Sequence, residues 1–276
     1  MQIGLLTAPF RSQPLEDVIA FAGANDFDAL EVASGPGARH IDIADLPESR
    51  VSEIRKLLDA NGLVISSLAW YADMTDPEGR DQRMADFRLL VDAAQRLDVG
   101  VVCTLAGKPV AGKDKFQTIE EDCAIVFPPL VEYAASKGIK VALENWFATN
   151  IQGLAHFDKM FEVVPHSNFG LNFDPSHLVW QGIDYIAAVD RFANRIFHTH
   201  AKDTEVREDK LAYLGNQERG WWRYVIPGFG RVRWGEYIGA LRRNGYNGVL
   251  SIEHEDGALG REEGFIKGKN YLRMFA

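Results

Sequence analysis

Cysteine is almost missing from this chain. Cys103 and Cys123 are the two present, one in a strand-like run and one in a helical pattern. Two buried reduced thiols exclude a disulfide-built framework and suit a cytoplasmic setting. Clustered cations are missing too. The formal net charge is −9 and no basic stripe occurs, which argues against nucleic acid or an anionic membrane as partner. No apolar run approaches the roughly 18 residues needed to span a bilayer. The opening Met-Gln-Ile-Gly-Leu-Leu-Thr lacks a basic n-region and reads directly as a strand, so no signal peptide is expected. There is no low-complexity tract, no run of like charge and no linker. One domain over residues 1–276 is expected.

What is present is an apolar fraction of 46%, enough for a full core, in a regular alternation of patterns. Strand-like runs fall at Gln2–Leu6, Ala29–Ala33, Leu63–Trp70, Val99–Leu105, Ile139–Asn145, Gly170–Asp174, Arg195–Ala201 and Gly248–Glu253. Helical patterns fall between them at Leu15–Gly23, Ser52–Leu58, Arg80–Leu97, Thr118–Ser136, Leu154–Val163, Ile183–Phe192 and Trp234–Arg243, with a closing helix at Glu262–Phe275. Gly62 and Gly138 stand where helix-ending glycines belong. Lys202–Val232 reads as a long irregular segment. Strict alternation means a parallel sheet, and about 34 residues per unit matches a βα repeat. With eight units the economical solution is a closed (β/α)8 TIM barrel. An open doubly wound sheet would carry a glycine-rich turn after its first strand, and Thr7-Ala-Pro-Phe-Arg11 is not one.

In such a barrel the chemistry lies at the carboxyl ends of the strands. The sixth strand alternates Leu171 and Phe173 with Asn172 and Asp174, and Pro175 ends it because it has no N–H to donate. The fifth strand ends in Glu144, the seventh carries His198 and His200, and the eighth ends in Glu253. Alternation sends Leu143, Phe173 and Ile252 toward the helices, so Glu144, Asp174, His200 and Glu253 point inward. Three carboxylates and an imidazole in one mouth repel unless a cation joins them. A hard or borderline divalent ion resolves this, with Mn²⁺ the first choice and Mg²⁺, Co²⁺ or Zn²⁺ as alternatives. Each residue alone has a plainer reading: a rim carboxylate on backbone donors, a turn-opening Asp, a solvated acidic loop. For His198 the plainer reading, a satisfied core histidine, is preferred.

The motifs Leu-Glu144-Asn, Asn-Phe-Asp174-Pro-Ser-His177, His-Thr-His200-Ala-Lys202-Asp203 and Ser-Ile-Glu253-His-Glu resemble the sugar phosphate isomerase/epimerase group of xylose-isomerase-like barrels. The resemblance covers essentially the whole chain. It implies one divalent ion held by Glu144, Asp174, His200 and Glu253, and a substrate contact at His177. It implies a small carbohydrate partner and admits a homo-oligomer, although no self-complementary surface is legible. Ketose 3-epimerases of the group carry a substrate-binding arginine shortly after the metal histidine. Here Arg207 is the arginine in that segment, and the Trp221-Trp222-Arg223-Tyr224 insert is longer than a minimal loop. Both departures weigh against a simple ketohexose epimerase. The insert reads as a lid or sugar-stacking wall over the mouth, or else as a packing patch.

The expected chemistry is divalent-metal-dependent isomerisation or epimerisation of a keto-sugar or related polyol ketone through a metal-stabilised enediolate. Glu144 and Glu253, on strands that flank the substrate, are the acid–base pair. Lys202 assists electrostatically or pairs with Asp203 or Glu205. Trp70 and Trp146 stack on a sugar ring or pack the rim, and Glu31 binds hydroxyls. Loss of a β-substituent instead of reprotonation would make a lyase or dehydratase acting on a keto-sugar, keto-inositol or 3-keto-glycoside. A non-catalytic sugar-binding barrel is the alternative of another class. An endonuclease with three zinc ions is disfavoured by the seven histidines, of which only His40 lies near the ends of the second and third strands, and by the charge of −9.

Overall fold

A computed structural model describes all residues, 1–276. Eight parallel strands form the barrel: β1 (Gln2–Leu6), β2 (Ala29–Gly35), β3 (Val64–Ala69), β4 (Val101–Leu105), β5 (Lys140–Glu144), β6 (Phe169–Phe173), β7 (Ile196–Ala201) and β8 (Val249–Ile252). Each pairs with the next, and β1 pairs with both β2 and β8, which closes the sheet. The main helices outside are α1 (Leu15–Ala24), α2 (Glu48–Asn61), α3 (Arg80–Arg96), α4 (Ala124–Ser136), α5 (Leu154–Val163), α6 (Tyr185–Phe192), α7 (Trp234–Arg243) and α8 (Arg261–Leu272). The local signals behave as their chemistry requires. Gly62 ends α2 at φ 65°, and the Asp184 carboxylate accepts the Ile186 and Ala187 N–H groups at the start of α6.

The core lies between sheet and helices, where 62 buried apolar residues form one cluster. Inside the barrel the packing is different. The apolar cluster there consists of Leu6, Ala69, Cys103 and Ala142, and the neighbouring inward positions are Glu31, Ser67, Asn172, His198, His200 and Ser251, all buried. Barrel interiors are more usually filled by branched aliphatic residues. Small and polar residues here leave the axis able to hold charged groups, provided those groups are partnered.

Three parts differ from the sequence reading. The Lys202–Val232 segment is not irregular. It forms an antiparallel hairpin of Asp203–Val206 with Trp222–Val225, carrying a helix at Glu208–Leu214 between its strands. Strands of four residues are too short to show a period, and their stability comes from elsewhere. The buried Asp203 carboxylate accepts the N–H groups of Thr204, Gly228 and Val232 and the Trp234 indole, which ties the insertion to the barrel. The single helix expected at Thr118–Ser136 is a short helix at Lys115–Thr118, a π turn at Ile119–Cys123 and then α4, which contains Pro128 and Pro129. A two-residue strand, Ile41–Asp42, also pairs with the end of β2.

Gly170 in β6 stands where the neighbouring chain leaves no room for a side chain. A Cβ there would stand 2.1 Å from the Arg195 carbonyl oxygen and 2.6 Å from the Phe197 ring. Gly170→Ala is therefore expected to destabilise the fold by about 1–3 kcal/mol or more, read as a lowered midpoint in urea denaturation.

Candidate metal centre

Strand alternation delivers each side chain. In β5, Val141 and Leu143 join the outer core, so Glu144 faces the axis. In β6, Phe169, Leu171 and Phe173 point outward, leaving Asn172 and then Asp174 inward. In β8, Leu250 and Ile252 point outward, leaving Ser251 and then Glu253 inward. The register between β6 and β7 shifts at Phe197, and His198 and His200 follow on the inner face.

Ligand atoms from Glu144, Asp174, His200 and Glu253 all lie within 4.8 Å of one another. His200 Nδ1 is 3.3 Å from Glu144 Oε1, 3.2 Å from Glu253 Oε2 and 4.0 Å from Asp174 Oδ2. Asp174 Oδ2 and His200 Nδ1 are buried without a hydrogen-bond partner. Orphaned buried atoms of this kind need a partner, and two of them aimed at one point, with two further carboxylates, fit a divalent cation. Its ligands would be these four side chains.

The surrounding hydrogen bonds fix the ligands. Asn145 accepts the Asp174 N–H at 2.8 Å and donates to the Asp174 carbonyl at 2.8 Å, while Asp174 Oδ1 accepts the Ser176 N–H. His200 Nε2 lies 3.0 Å from Glu31 Oε2, so its proton is directed to Glu31 and Nδ1 turns to the centre. Glu31 also accepts the Tyr71 hydroxyl at 2.5 Å and the Ser251 hydroxyl at 2.7 Å. Burial alone would raise the Glu31 carboxyl, but His200, His198 and Tyr71 together bring it down to about 2. Burial alone would lower His200, yet the carboxylates of Glu31, Glu253 and Glu144 hold it well above the ordinary histidine range. A cation therefore competes with a proton for Nδ1. His198 is hydrogen-bonded to Asn172 Oδ1 and Ser66 Oγ, each at 3.0 Å, and burial pushes it down to about 4. It is a neutral core histidine.

Above the cluster opens a cavity of about 1040 Å³. Of the four ligand candidates, Glu144 and Glu253 reach its wall and Asp174 and His200 do not. His177, Lys202 and Trp146 also line it. His177 Nε2 is 3.3 Å from both Glu144 Oε1 and Asp174 Oδ2, and its Nδ1 is 2.5 Å from the Tyr224 hydroxyl. The Glu144 carboxylate facing Nε2 puts the proton there, so Nδ1 accepts from Tyr224. Lys202 Nζ lies 2.6 Å from Glu253 Oε2, 3.2 Å from Glu255 Oε2 and 3.4 Å from Asp174 Oδ2. It does not pair with Asp203 or Glu205: Asp203 is consumed by its four donors and Glu205 pairs with Arg223.

Three expected substrate contacts are not at the cavity wall. Glu31 sits beneath His200, enclosed by its own donors, and orients the imidazole instead of meeting hydroxyls. Trp70 lies against Gly35 at the end of β2, and the next residue, Tyr71, lines the cavity in its place. Arg207 is exposed at the far end of the hairpin strand, and Arg223 on the returning strand lines the cavity. Sequence reasoning passed over Tyr71 altogether and read Arg223 and Tyr224 only as parts of an insert. A strand as short as Trp222–Val225 offers no period to read, so neither residue could be placed from the sequence.

Three acids and a histidine gathered at the carboxyl-end mouth of a closed (β/α)8 barrel define a barrel suited to holding a divalent cation. The chain belongs to the xylose isomerase-like TIM barrel family, whose model matches residues 19–274. It is 25% identical over 278 residues to an inosose dehydratase of Clostridium botulinum (strain Alaska E43 / Type E3), covering 94% of this chain and 92% of the relative. Its fold matches the probable 3-DHS dehydratase AsbF of Bacillus anthracis with a TM-score of 0.79 at 20% identity, over 99% of each chain. It also matches the 3-keto-D-glucoside 4-epimerase YcjR of E. coli with a TM-score of 0.78 at 16% identity, again over 99% of each chain.

Glu31→Gln is expected to weaken divalent-metal binding about 10- to 100-fold while the protein stays folded, and Asp174→Ala to weaken it further. Titration calorimetry in two buffers of different ionisation enthalpy checks both, and should register proton release on metal uptake because His200 Nδ1 gives up its proton.

Proposed function

We propose that the protein is a metal-dependent enzyme that enolises a keto-sugar or related polyol ketone, with isomerisation or epimerisation as the outcome. The observation that carries this is the division of labour among the acids. Asp174 is sealed behind the site, whereas Glu144 and Glu253 come from β5 and the end of β8 and both stand in the cavity wall. They are the two ligands that a bound substrate also touches. A divalent ion on the four side chains supplies Lewis-acid polarisation of a ketone oxygen, which acidifies the adjacent C–H. Mn²⁺ is the ion we favour, from the oxygen-rich donor set with one imidazole.

The chain's own groups do the proton work. Burial opposes ionisation of both acids, but His200 and His177 hold the Glu144 carboxyl well below its usual range, and Lys202 and His200 hold Glu253 at about 2. Both are ionised at neutral pH, and either can accept a proton from a carbon placed between them. His177, with its proton held on Nε2 by Tyr224, donates to a substrate oxygen that gains charge. The cavity wall, largely aromatic above the acids, limits water around the reacting carbon.

A second reading is β-elimination. It is favoured by the ammonium of Lys202, which lines the cavity beside Glu253 and Glu255 and can offset charge that develops on a departing hydroxyl. The inosose dehydratase and AsbF likenesses point the same way. The location we favour is the cytoplasm, from the two free buried cysteines; no helix is long and apolar enough to cross a membrane.

Incubating the metal-loaded protein with keto-sugars in D₂O tests the reading. Deuterium is expected at the carbon beside the carbonyl, and exchange should fall at least about 100-fold in Glu144→Gln and in Glu253→Gln. Bound ketone that never exchanges would refute enolisation. Tyr224→Phe should lower kcat more than it raises KM, because it frees the His177 tautomer without removing a substrate contact. A product lighter by one water identifies the elimination branch.

A further inference from the structure

The cavity is larger than a single sugar ring requires. Pockets for ligands of drug size span about 300–1,000 Å³, and this one measures about 1040 Å³. Glu144, His177, Lys202 and Glu253 stand in its lining beside the metal-ligand cluster. Trp146, Phe147 and Trp222 line it as well. Trp222 is held rigidly. It stacks on Trp180 at 4.4 Å with 9° between the planes, and Phe147 meets it edge-on at 5.9 Å. Phe147 also meets Trp180 at 5.2 Å, so the three rings brace one another. Trp180 is outside the cavity wall, so the stack presents Trp222 to the cavity. An aromatic surface fixed in advance binds a flat or faceted ring at little entropic cost.

The charges lining the cavity disfavour a phosphorylated ligand. Two side-chain cations line the cavity, and both stand in ion pairs. Lys202 is bonded to Glu253 and Glu255, and Arg223 is bonded to Glu205 and Asp256, each at 2.6 Å. A phosphate, carrying about −1.5 to −2 charges at neutral pH, would meet Glu144, Glu253 and Glu255, while the side-chain cations of the wall already balance carboxylates.

We propose that Trp222, Trp146 and Phe147 form a second subsite that takes the second ring of a neutral glycoside. The substrate is then a keto-sugar still joined to another ring, not a free or phosphorylated monosaccharide. This rests on the enolisation reading for the sugar at the metal-ligand cluster, but the subsite makes its own prediction.

Calorimetric binding of methyl β-D-glucoside, phenyl β-D-glucoside and glucose 6-phosphate to the metal-loaded protein tests it. The phenyl glucoside is expected to bind about tenfold more tightly than the methyl glucoside. Trp222→Ala and, on a different loop, Trp146→Ala should each shrink that ratio to about threefold or less, so loss of one hairpin's folding cannot mimic the result. Glucose 6-phosphate should bind no better than the methyl glucoside. Equal binding of the two glucosides, a ratio that survives both substitutions, tightest binding of the phosphate, or no binding of any probe overturns the subsite. Deuterium exchange into an unsubstituted keto-sugar reports separately on the metal-ligand cluster: absent exchange with an intact ratio condemns the enolisation reading and not the subsite.

Discussion

Three buried carboxylates and a half-buried fourth, Glu253, around one imidazole are the condition to which the rest of this molecule answers. Glu31, Glu144, Asp174 and Glu253 surround His200, and Lys202 is the one ammonium among them. Taking that much like charge out of water is costly unless opposite charge and donors meet it. The structure supplies donors to Glu31 from Tyr71, which follows β3, and from Ser251 in β8. Even so, Asp174 Oδ2 and His200 Nδ1 remain without partners, and a divalent ion would satisfy both. The small and polar lining of the barrel follows from the same condition, since a conventional aliphatic interior would leave Glu31 and Asn172 unsatisfied.

The mouth obeys a second constraint, imposed by the hairpin that follows β7. One carboxylate, Asp203, gathers three backbone donors and the Trp234 indole and so fixes an insertion that has little core of its own. The rigid hairpin then carries Trp222, Arg223 and Tyr224 to the rim. Tyr224 reaches His177, and Trp222 completes the wall above the acids. A barrel with a shallow rim thereby gains a deep cavity, and the tautomer of a site histidine becomes dependent on a residue in the insertion.

The barrel was legible because its signal is local and repeated: runs of period two alternating with amphipathic helices, closed by helix-ending glycines. Glu144, Asp174 and Glu253 were placed inward for the same reason, since each stands at the end of a strand whose outward neighbours, Leu143, Phe173 and Ile252, are apolar, and His200 followed from its position in the seventh strand. Glu31 was noticed but given the wrong neighbours. It is also inward-facing, yet it lies one level deeper than the others, and depth along the axis depends on strand stagger. Trp70 and Tyr71 illustrate the limit on a smaller scale. At a strand end the alternation lapses, and the side chain one residue further on is the one that enters the cavity. Arg207 and Arg223 sit on opposite strands of a hairpin that no periodicity announced.

The amino-acid order alone therefore determined the eightfold alternation, the inward face of each strand and the four residues able to meet at one rim. Tertiary structure alone decided which two acids stand in the cavity wall, which nitrogen of His200 is free, what partners Lys202, and how deep the mouth is. The physical reason is range. Side-chain direction is set by the residue's own backbone and its immediate neighbours. Distance between groups on different strands is set by the register and stagger of the closed sheet, to which every strand contributes at once.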